Sequence, residues 1–305
     1  MWFKQATLYQ FSRSIKMDQQ TLSEALTPLS FSPCLPSLPS SMGWVSPIDQ
    51  EGPLVYGNHR FWMICLQFEE KLLPATVVRQ AVLEKIEEIE KKEARTVRGK
   101  EKLSIKDEMT QTLLPKAFTK KSRVHAFLDL EHRWLVIDST TPAKVERFMA
   151  FLKRALPAID FTLPETKKPS AVMTEWLKGR EPHDFEVGQS GVLQDPQQER
   201  RMIRCQHQDL SSIPIQSLLK DGCEITQLAM TWKDQLQFTL TSQFAIRSIK
   251  FQEAVIALSK SDYTETAQQR FDADFVIMTD VLMQMIETLY AEFAETVSVE
   301  DAVAV

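Results

Sequence analysis

Residues 91–123 set eleven Lys and Arg side chains against four acids, a net charge of +7 in a chain whose total is −5, so the rest of the chain carries −12. The cations are Lys91, Lys92, Arg95, Arg98, Lys100, Lys102, Lys106, Lys116, Lys120, Lys121 and Arg123. A hydrophobic core excludes such side chains unless each is paired. The stretch is therefore bound to leave the core and be either solvated or matched to something anionic. Segregating one sign of charge costs self-repulsion and creates a strong positive field. Nucleic acid is the commonest polyanion that answers such a field, through phosphate contacts without base readout. The competing reading is a solvated helical face carrying i, i+4 pairs such as Glu87–Lys91.

Apolar residues make up 43% and charged residues 25% of the chain, which places it among globular proteins. No apolar run reaches the roughly 18 residues needed to cross a bilayer. The start, Met1-Trp2-Phe3-Lys4-Gln5, lacks a basic leader followed by an apolar stretch. Cys34, Cys65, Cys205 and Cys223 form no CxxC pair, which argues against a zinc ribbon or dithiol site and suits a reducing compartment. A cytoplasmic protein with no membrane partner is expected. The eight glycines form neither GxGxxG nor GxxxxGK[ST], which disfavours nucleotide motors and dinucleotide enzymes.

The organisation reads as α+β, with antiparallel sheets, flanking helices and a protruding helical hairpin. Four segments are expected: 1–73, an N-terminal part of a central α+β region; 74–123, a basic helical hairpin; 124–165, a β-hairpin plus helix; and 166–305, a strand-rich region with a long terminal helix. Residues 2–11 alternate like a strand and 14–26 suit a short helix. Six prolines make 27–53 mostly loop, with Met42-Gly43-Trp44-Val45 as a docked aromatic anchor. Residues 61–68 read as a buried strand. Val78, Val82, Ile86 and Ile89 give helical spacing after Pro74, Gly99 breaks it, and a second helix runs from about Ser104 to before Pro115. A β-hairpin over 124–138 turns at Glu131-His132-Arg133, and Pro142 opens a helix. Residues 157–169 look linker-like, and 172–179 form a short amphipathic element. Residues 181–201 look polar and turn-rich. Strands follow at 201–205, 224–233, 235–241 and 245–251, then a helix over 272–296 that is apolar nearly all round and so buried or in an interface.

Three constellations bear on chemistry. Phe118 sits among Lys116, Lys120 and Lys121. By its residue type alone it belongs in a core; exposed, it would stack on a base or a partner chain. His125, Asp129, His132 and Asp138 invite a metal reading, but they also suit the wet face of a strand, with His132 in the turn. Asp272 and Asp274 read as helix-capping acids. No Ser/His/Asp or Cys/His arrangement stands out.

Several short runs together resemble the bacterial recombination-associated protein RdgC family. They are Trp2-Phe3-Lys4, Phe31-Ser32-Pro33-Cys34, Met42-Gly43-Trp44-Val45, Glu69-Glu70-Lys71-Leu72-Leu73-Pro74 and Leu113-Leu114-Pro115-Lys116-Ala117-Phe118. Thr174-Glu175-Trp176, Gln208-Asp209-Leu210 and Gln269-Arg270-Phe271-Asp272-Ala273-Asp274-Phe275 complete the set. They follow the family's order over nearly the whole chain, and the last run is the most specific.

The resemblance implies a ring-shaped homodimer with a basic central hole that encircles duplex DNA, with single-stranded DNA as a second candidate. It implies DNA binding with little sequence preference, antagonism of the RecA recombinase, no catalysis, no cofactor and a place at the nucleoid. It makes Phe118 a dimer gate residue. The charge of the basic segment together with the positions matched around 206–210 gives the candidate DNA-contacting set: Lys71, Lys92, Arg95, Arg98, Lys100, Lys102, Lys116, Lys120, Lys121, Arg123, Arg204, His207 and Gln208. Where some relatives carry Lys-Lys-Gln-Asp-Leu, this chain has Gln206-His207-Gln208-Asp209-Leu210, so charge is lost or made pH dependent there. Arg200, Arg201 and Arg204 stand nearby to replace it, and weaker DNA binding is expected. Two rivals remain: a metal-dependent nuclease built on His125, Asp129 and Asp138, and an adaptor whose basic segment binds an acidic partner.

Overall fold

A computed structural model describes residues 1–12, 18–48, 52–260 and 266–294. It is mixed α/β, with two antiparallel sheets and, among the described residues, eight α-helices. The chain divides into two compact units. One comprises Met1–Lys16, Gly57–Met63 and Ala126–Val305, and the other Met17–Tyr56 and Ile64–His125. Strands β4 (Phe61–Leu72) and β5 (Phe118–Asp129) each run from one unit into the other.

In the first unit, β1 (Thr7–Phe11) lies between β6 (Trp134–Ile137) and β7 (Phe161–Thr162), and β6 pairs with the end of β5 through Ala126↔Ile137. The β5–β6 connection is a tight turn with Arg133 at φ 61°. Residues 126–129 and 134–137 are buried on both faces, so strict alternation is lost there. Asp129 is therefore fully buried and does not lie on a wet strand face. A second sheet has the order β12-β11-β10-β8-β9. Its members are β8 (Phe185–Asp195), β9 (Gln198–Cys205), β10 (Glu224–Trp232), β11 (Leu236–Thr241) and β12 (Ile246–Phe251). Ala6 and Ile246 exchange backbone hydrogen bonds of 2.8 Å, tying the two sheets of this unit together.

Residues 181–201 thus hold β8 and the start of β9 rather than turns. Two bulges in the β8–β10 ladder displace the side-chain alternation and hide the strand from a period-two reading. Helix α4 (Pro142–Ala155) buries Val145, Phe148 and Leu152, as their i, i+3, i+7 spacing requires. After α4, Phe161–Thr162 pairs on β1 inside what reads as linker. Helices α5 (Pro169–Glu175), α6 (Ile213–Lys220) and α7 (Glu253–Leu258) are short. Helix α8 (Ala267–Phe293) runs through the core of the unit, with Met278, Leu282, Met283, Met285, Ile286, Leu289 and Phe293 fully buried. Trp134 meets Tyr290 edge-on at 5.0 Å, and Trp176 meets Phe293 at 5.1 Å. Thr266 caps α8 in a reciprocal box with Gln269. Asp272 and Asp274 therefore lie past the first turn, and the capping role belongs to Thr266; Asp274 instead pairs with the Met1 ammonium.

In the second unit, strands follow the order β2-β4-β5, with β2 (Ser40–Val45) and β3 (Val55–Gly57) both on β4. The described residues of 27–53 are mostly loop, as their prolines require, but Ser40–Val45 within them is a strand that pairs in full with Cys65–Glu70 and holds the anchor Trp44 buried. The prolines flank the strand without interrupting it. A Cβ at Gly43 would stand 2.4 Å from Phe31 Cα, so glycine lets the 30–31 segment pack against β2 and bond to Trp44. Helix α1 (Gln19–Leu26) is capped by Asp18; the expected helix residues 14–17 lie outside the described residues. Helices α2 (Ala75–Glu93) and α3 (Gly99–Leu113) join β4 to β5. The break between the two helices falls at residues 94–98, and Gly99, at φ 35°, opens α3 ahead of the expected start near Ser104.

Candidate nucleic-acid interface

Helices α2 and α3 hold together through few buried contacts. Each buries a single residue, Val78 and Ile105. Val82 and Leu103 line a shallow groove between the two helices along with Arg79, Lys102 and Lys106. The link between them is fixed locally. Ala94 takes the left-handed conformation at the end of α2, Val97 is buried, and the Val97 N–H donates to Glu90 Oε1 at 2.9 Å. Arg95 ties the link further, reaching Glu93 at 2.6 Å and both oxygens of Glu101 at 2.6 and 2.7 Å.

These interactions sort the cations of residues 91–123. Arg95 is spent on its two acids, and Lys91 pairs with Glu87 at 3.2 Å in an i, i+4 bridge. Lys91 and Lys92 also sit in the last turn of α2, where a cation meets the helix dipole favourably. Arg98, Lys100, Lys102 and Lys106 are exposed on and just before α3, and among the described residues they make no salt bridge. Lys71, at the end of β4, is half-buried, and its backbone N–H donates to Pro39.

Beyond α3 a short 3-10 turn, Leu114–Lys116, delivers the chain to β5. Alternation along β5 gives its two faces different jobs. Lys121 and Arg123 lean toward β4: Lys121 Nζ is 3.9 Å from Glu69 and 5.7 Å from the Phe31 ring, and Arg123 Nε donates to Gln67 at 3.1 Å. Phe118 and Lys120 point the other way and are exposed. Phe118 is 84% exposed, so its placement in a core, the reading from residue type alone, is wrong. Burial follows in the next residues of the strand, from Val124 onward.

Arg204, His207 and Gln208 lie in the other unit. Arg204 is exposed near the end of β9, opposite Val192. His207 is exposed in the left-handed region at φ 51°, and the Gln208 N–H donates to Gln189 O at 3.1 Å. Arg201 reaches Asp195 at 3.5 Å, so part of its charge is answered within the sheet.

The candidate metal residues do not converge as a nuclease site built on His125, Asp129 and Asp138 would need. Asp138 accepts backbone N–H bonds from Lys4 and Gln5 at 3.0 and 3.1 Å, and burial still pushes its carboxyl above the ordinary range. His125 lies in the second unit, where burial outweighs a hydrogen bond to Pro47 and holds its imidazole down at about 4. Asp129 instead meets His132 and Glu287, with Arg60 between them. Burial opposes the Asp129 charge, yet Arg60 and His132 outweigh it and hold the carboxyl below its usual range. Glu287 is pushed up by burial, against the pull of His132 and Arg60. Neither Arg60 nor Glu287 is marked in the sequence: both are ordinary charged residues, about 70 and 158 positions from Asp129, and only the docking of α8 joins them.

A family model described as "Putative exonuclease, RdgC" matches residues 1–296. Curated relatives named "Recombination-associated protein RdgC" align along nearly the whole chain. The protein from Proteus mirabilis is 34% identical over 296 residues, covering 94% of this chain and 96% of its own. That from Halorhodospira halophila is 33% identical over 295 residues, covering 96% and 98%. That from Pseudomonas aeruginosa PAO1 is 32% identical over 294 residues, covering 95% and 96%. With the match this complete in both directions, the chain belongs to the RdgC family.

Proposed function

We propose that this recombination-associated protein binds DNA without sequence preference and without catalysis, as a homodimeric ring closed around duplex. Helices α2 and α3 and residues 116–123 form a basic finger on the DNA side, and Phe118 closes a gate between two copies. The ring obstructs RecA filament growth at the nucleoid. The observation that carries this reading is the pairing of cations that make no salt bridge among the described residues with an exposed aromatic: Lys116 and Lys120 two residues either side of a Phe118 that is 84% exposed, with Lys100 and Lys102 exposed at the start of α3. Packing gives no reason for either feature, whereas phosphate neutralisation and aromatic contact use both. Among the described residues no helix is long and apolar enough to cross a membrane.

A ring holds DNA by topology as well as charge. Protein assembled on closed circular duplex at low salt should survive a salt challenge that strips it from linear duplex of the same sequence. Equal loss from both forms would refute encirclement. Phe118→Ala should abolish the difference while leaving the circular dichroism spectrum and unfolding midpoint unchanged. Failure to bind random-sequence duplex at low salt, with retained binding to an acidic protein, would favour an adaptor instead.

A further inference from the structure

We propose that Asp129, His132 and Glu287 form a binding site for a divalent transition-metal ion in the first unit. Their ligand-type atoms all lie within 4.8 Å of one another. His132 Nδ1 is 3.1 Å from Asp129 Oδ2 and 2.6 Å from Glu287 Oε1. Around a tetrahedral ion bound at about 2.0–2.2 Å, neighbouring ligand atoms stand about 3.3–3.6 Å apart. Both separations from His132 fall short of that spacing, and side-chain rotations that part the ligands would reach it.

Two details favour an ion over a plain hydrogen-bonded cluster. Glu287 Oε1 is buried as an atom and makes no hydrogen bond of acceptable geometry, although His132 Nδ1 is so near. Asp129 is held in a ligand's pose: the backbone N–H groups of Glu131 and His132 donate to its Oδ1 at 2.9 and 3.2 Å, turning Oδ2 to the other ligands. Outer partners of this kind are what orient a metal-binding carboxylate.

Arg60 explains how the site stands without an ion. Its Nη2 is 3.0 Å from Asp129 Oδ2, 2.9 Å from His132 Nδ1 and 3.7 Å from Glu287 Oε1, so a guanidinium nitrogen sits at the point the ligands share. The charges do not balance, however. Asp129, Glu131 and Glu287 bring three negative charges, and Arg60 returns one. A metal-bound imidazole is neutral, so the liganded cluster with Arg60 still paired carries −2, which a divalent cation offsets. The Arg60 side chain is 30% exposed and also reaches the more exposed Glu131 at 3.3 Å, so it has somewhere to go when an ion enters. One imidazole with two carboxylates suits zinc or a neighbouring first-row metal better than Mg²⁺ or Ca²⁺. Because Glu287 comes from α8 and the others from β5 and the β5–β6 turn, the ion would fasten the terminal helix to the sheet.

The test is calorimetric titration of the metal-free full chain with Zn²⁺ alone, with Mg²⁺ as a parallel arm. We expect saturation at one equivalent of Zn²⁺, little binding of Mg²⁺, and affinity at least about tenfold lower in His132→Ala and Glu287→Gln. Arg60→Met should bind more tightly than wild type. Co²⁺ substitution should give visible absorption of a nitrogen-and-oxygen site with no thiolate charge-transfer band, and this absorption reports the site independently of any loss of fold in the variants. A thiolate band, or Zn²⁺ binding undiminished in both variants, would place the ion elsewhere and overturn the proposal. Binding by Arg60→Met but not by wild type would also overturn it, since Arg60 would then be the permanent cation of the native chain.

Discussion

Helix α8 and the pair α2 and α3 are long helices made from opposite materials. Along its 27 residues α8 buries Phe275, Met278, Thr279, Leu282, Met283, Met285, Ile286, Leu289 and Phe293. Helices α2 and α3 together run 34 residues and bury Val78 and Ile105. Burial of apolar area holds α8 in place. The other two persist through propensity, a local link and i, i+4 pairs, which are each worth only a few tenths of a kcal/mol. A chain has no folding reason to keep so exposed a charged pair of helices, whereas α8 holds its unit together.

The widest gap between the two should come from truncating a leucine in each. Leu282→Ala should cost about 2–5 kcal/mol of unfolding free energy, while Leu103→Ala, at a side chain 60% exposed on α3, should cost less than about 0.5 kcal/mol. Denaturant midpoints of the two variants read the difference directly, and equal losses would refute the division of roles. Next in size is Gly43→Ala, where the new methyl meets the Phe31 backbone at 2.4 Å. Displacing β2 from that segment should cost about 1–3 kcal/mol, seen as a lowered melting temperature.

Titration of His125 brings pH into the contrast between buried and exposed charge. Its imidazole is held at about 4 in the fold, from an ordinary value of 6.5. Between those values the unfolded chain binds the extra proton, so stability rises with pH across the window and is lost as pH falls toward 4. His125→Leu should remove this part of the acid loss, on the order of 2–3 kcal/mol between pH 7 and pH 4, as read by urea melts at both pH values. An unchanged pH profile would mean that His125 is not held neutral by burial. The smallest effect belongs to Arg95. Replacing it with Ala removes exposed pairs with Glu93 and Glu101 and should leave the unfolding midpoint nearly unchanged.

Much of this could be read from the residues because the signals were local. The spacing of Val145, Phe148 and Leu152 marks α4, Pro74 and Pro115 bracket α2 and α3, and the charge of residues 91–123 marks a surface rather than a core. What stayed hidden depends on distant partners. Strand β2 lies in a proline-rich stretch because the edge it pairs with, Cys65–Glu70, is set elsewhere. Strand β8 is disguised by bulges. Phe118 is misread by residue type because hydrophobicity cannot say which aromatic is left outside. The Asp129, His132, Glu287 cluster needs a helix that returns after some 150 residues, and no spacing rule spans that interval.

Phosphate binding by the basic segment is best tested by duplex DNA binding across a salt series without metal, comparing wild type with Lys116→Ala/Lys120→Ala/Lys121→Ala. Affinity should fall steeply with salt, and the slope should flatten in the variant by about 0.9 for each phosphate that is no longer neutralised. A salt-insensitive affinity, an unchanged slope in the variant, or no binding at low salt would contradict a phosphate-binding role for this segment.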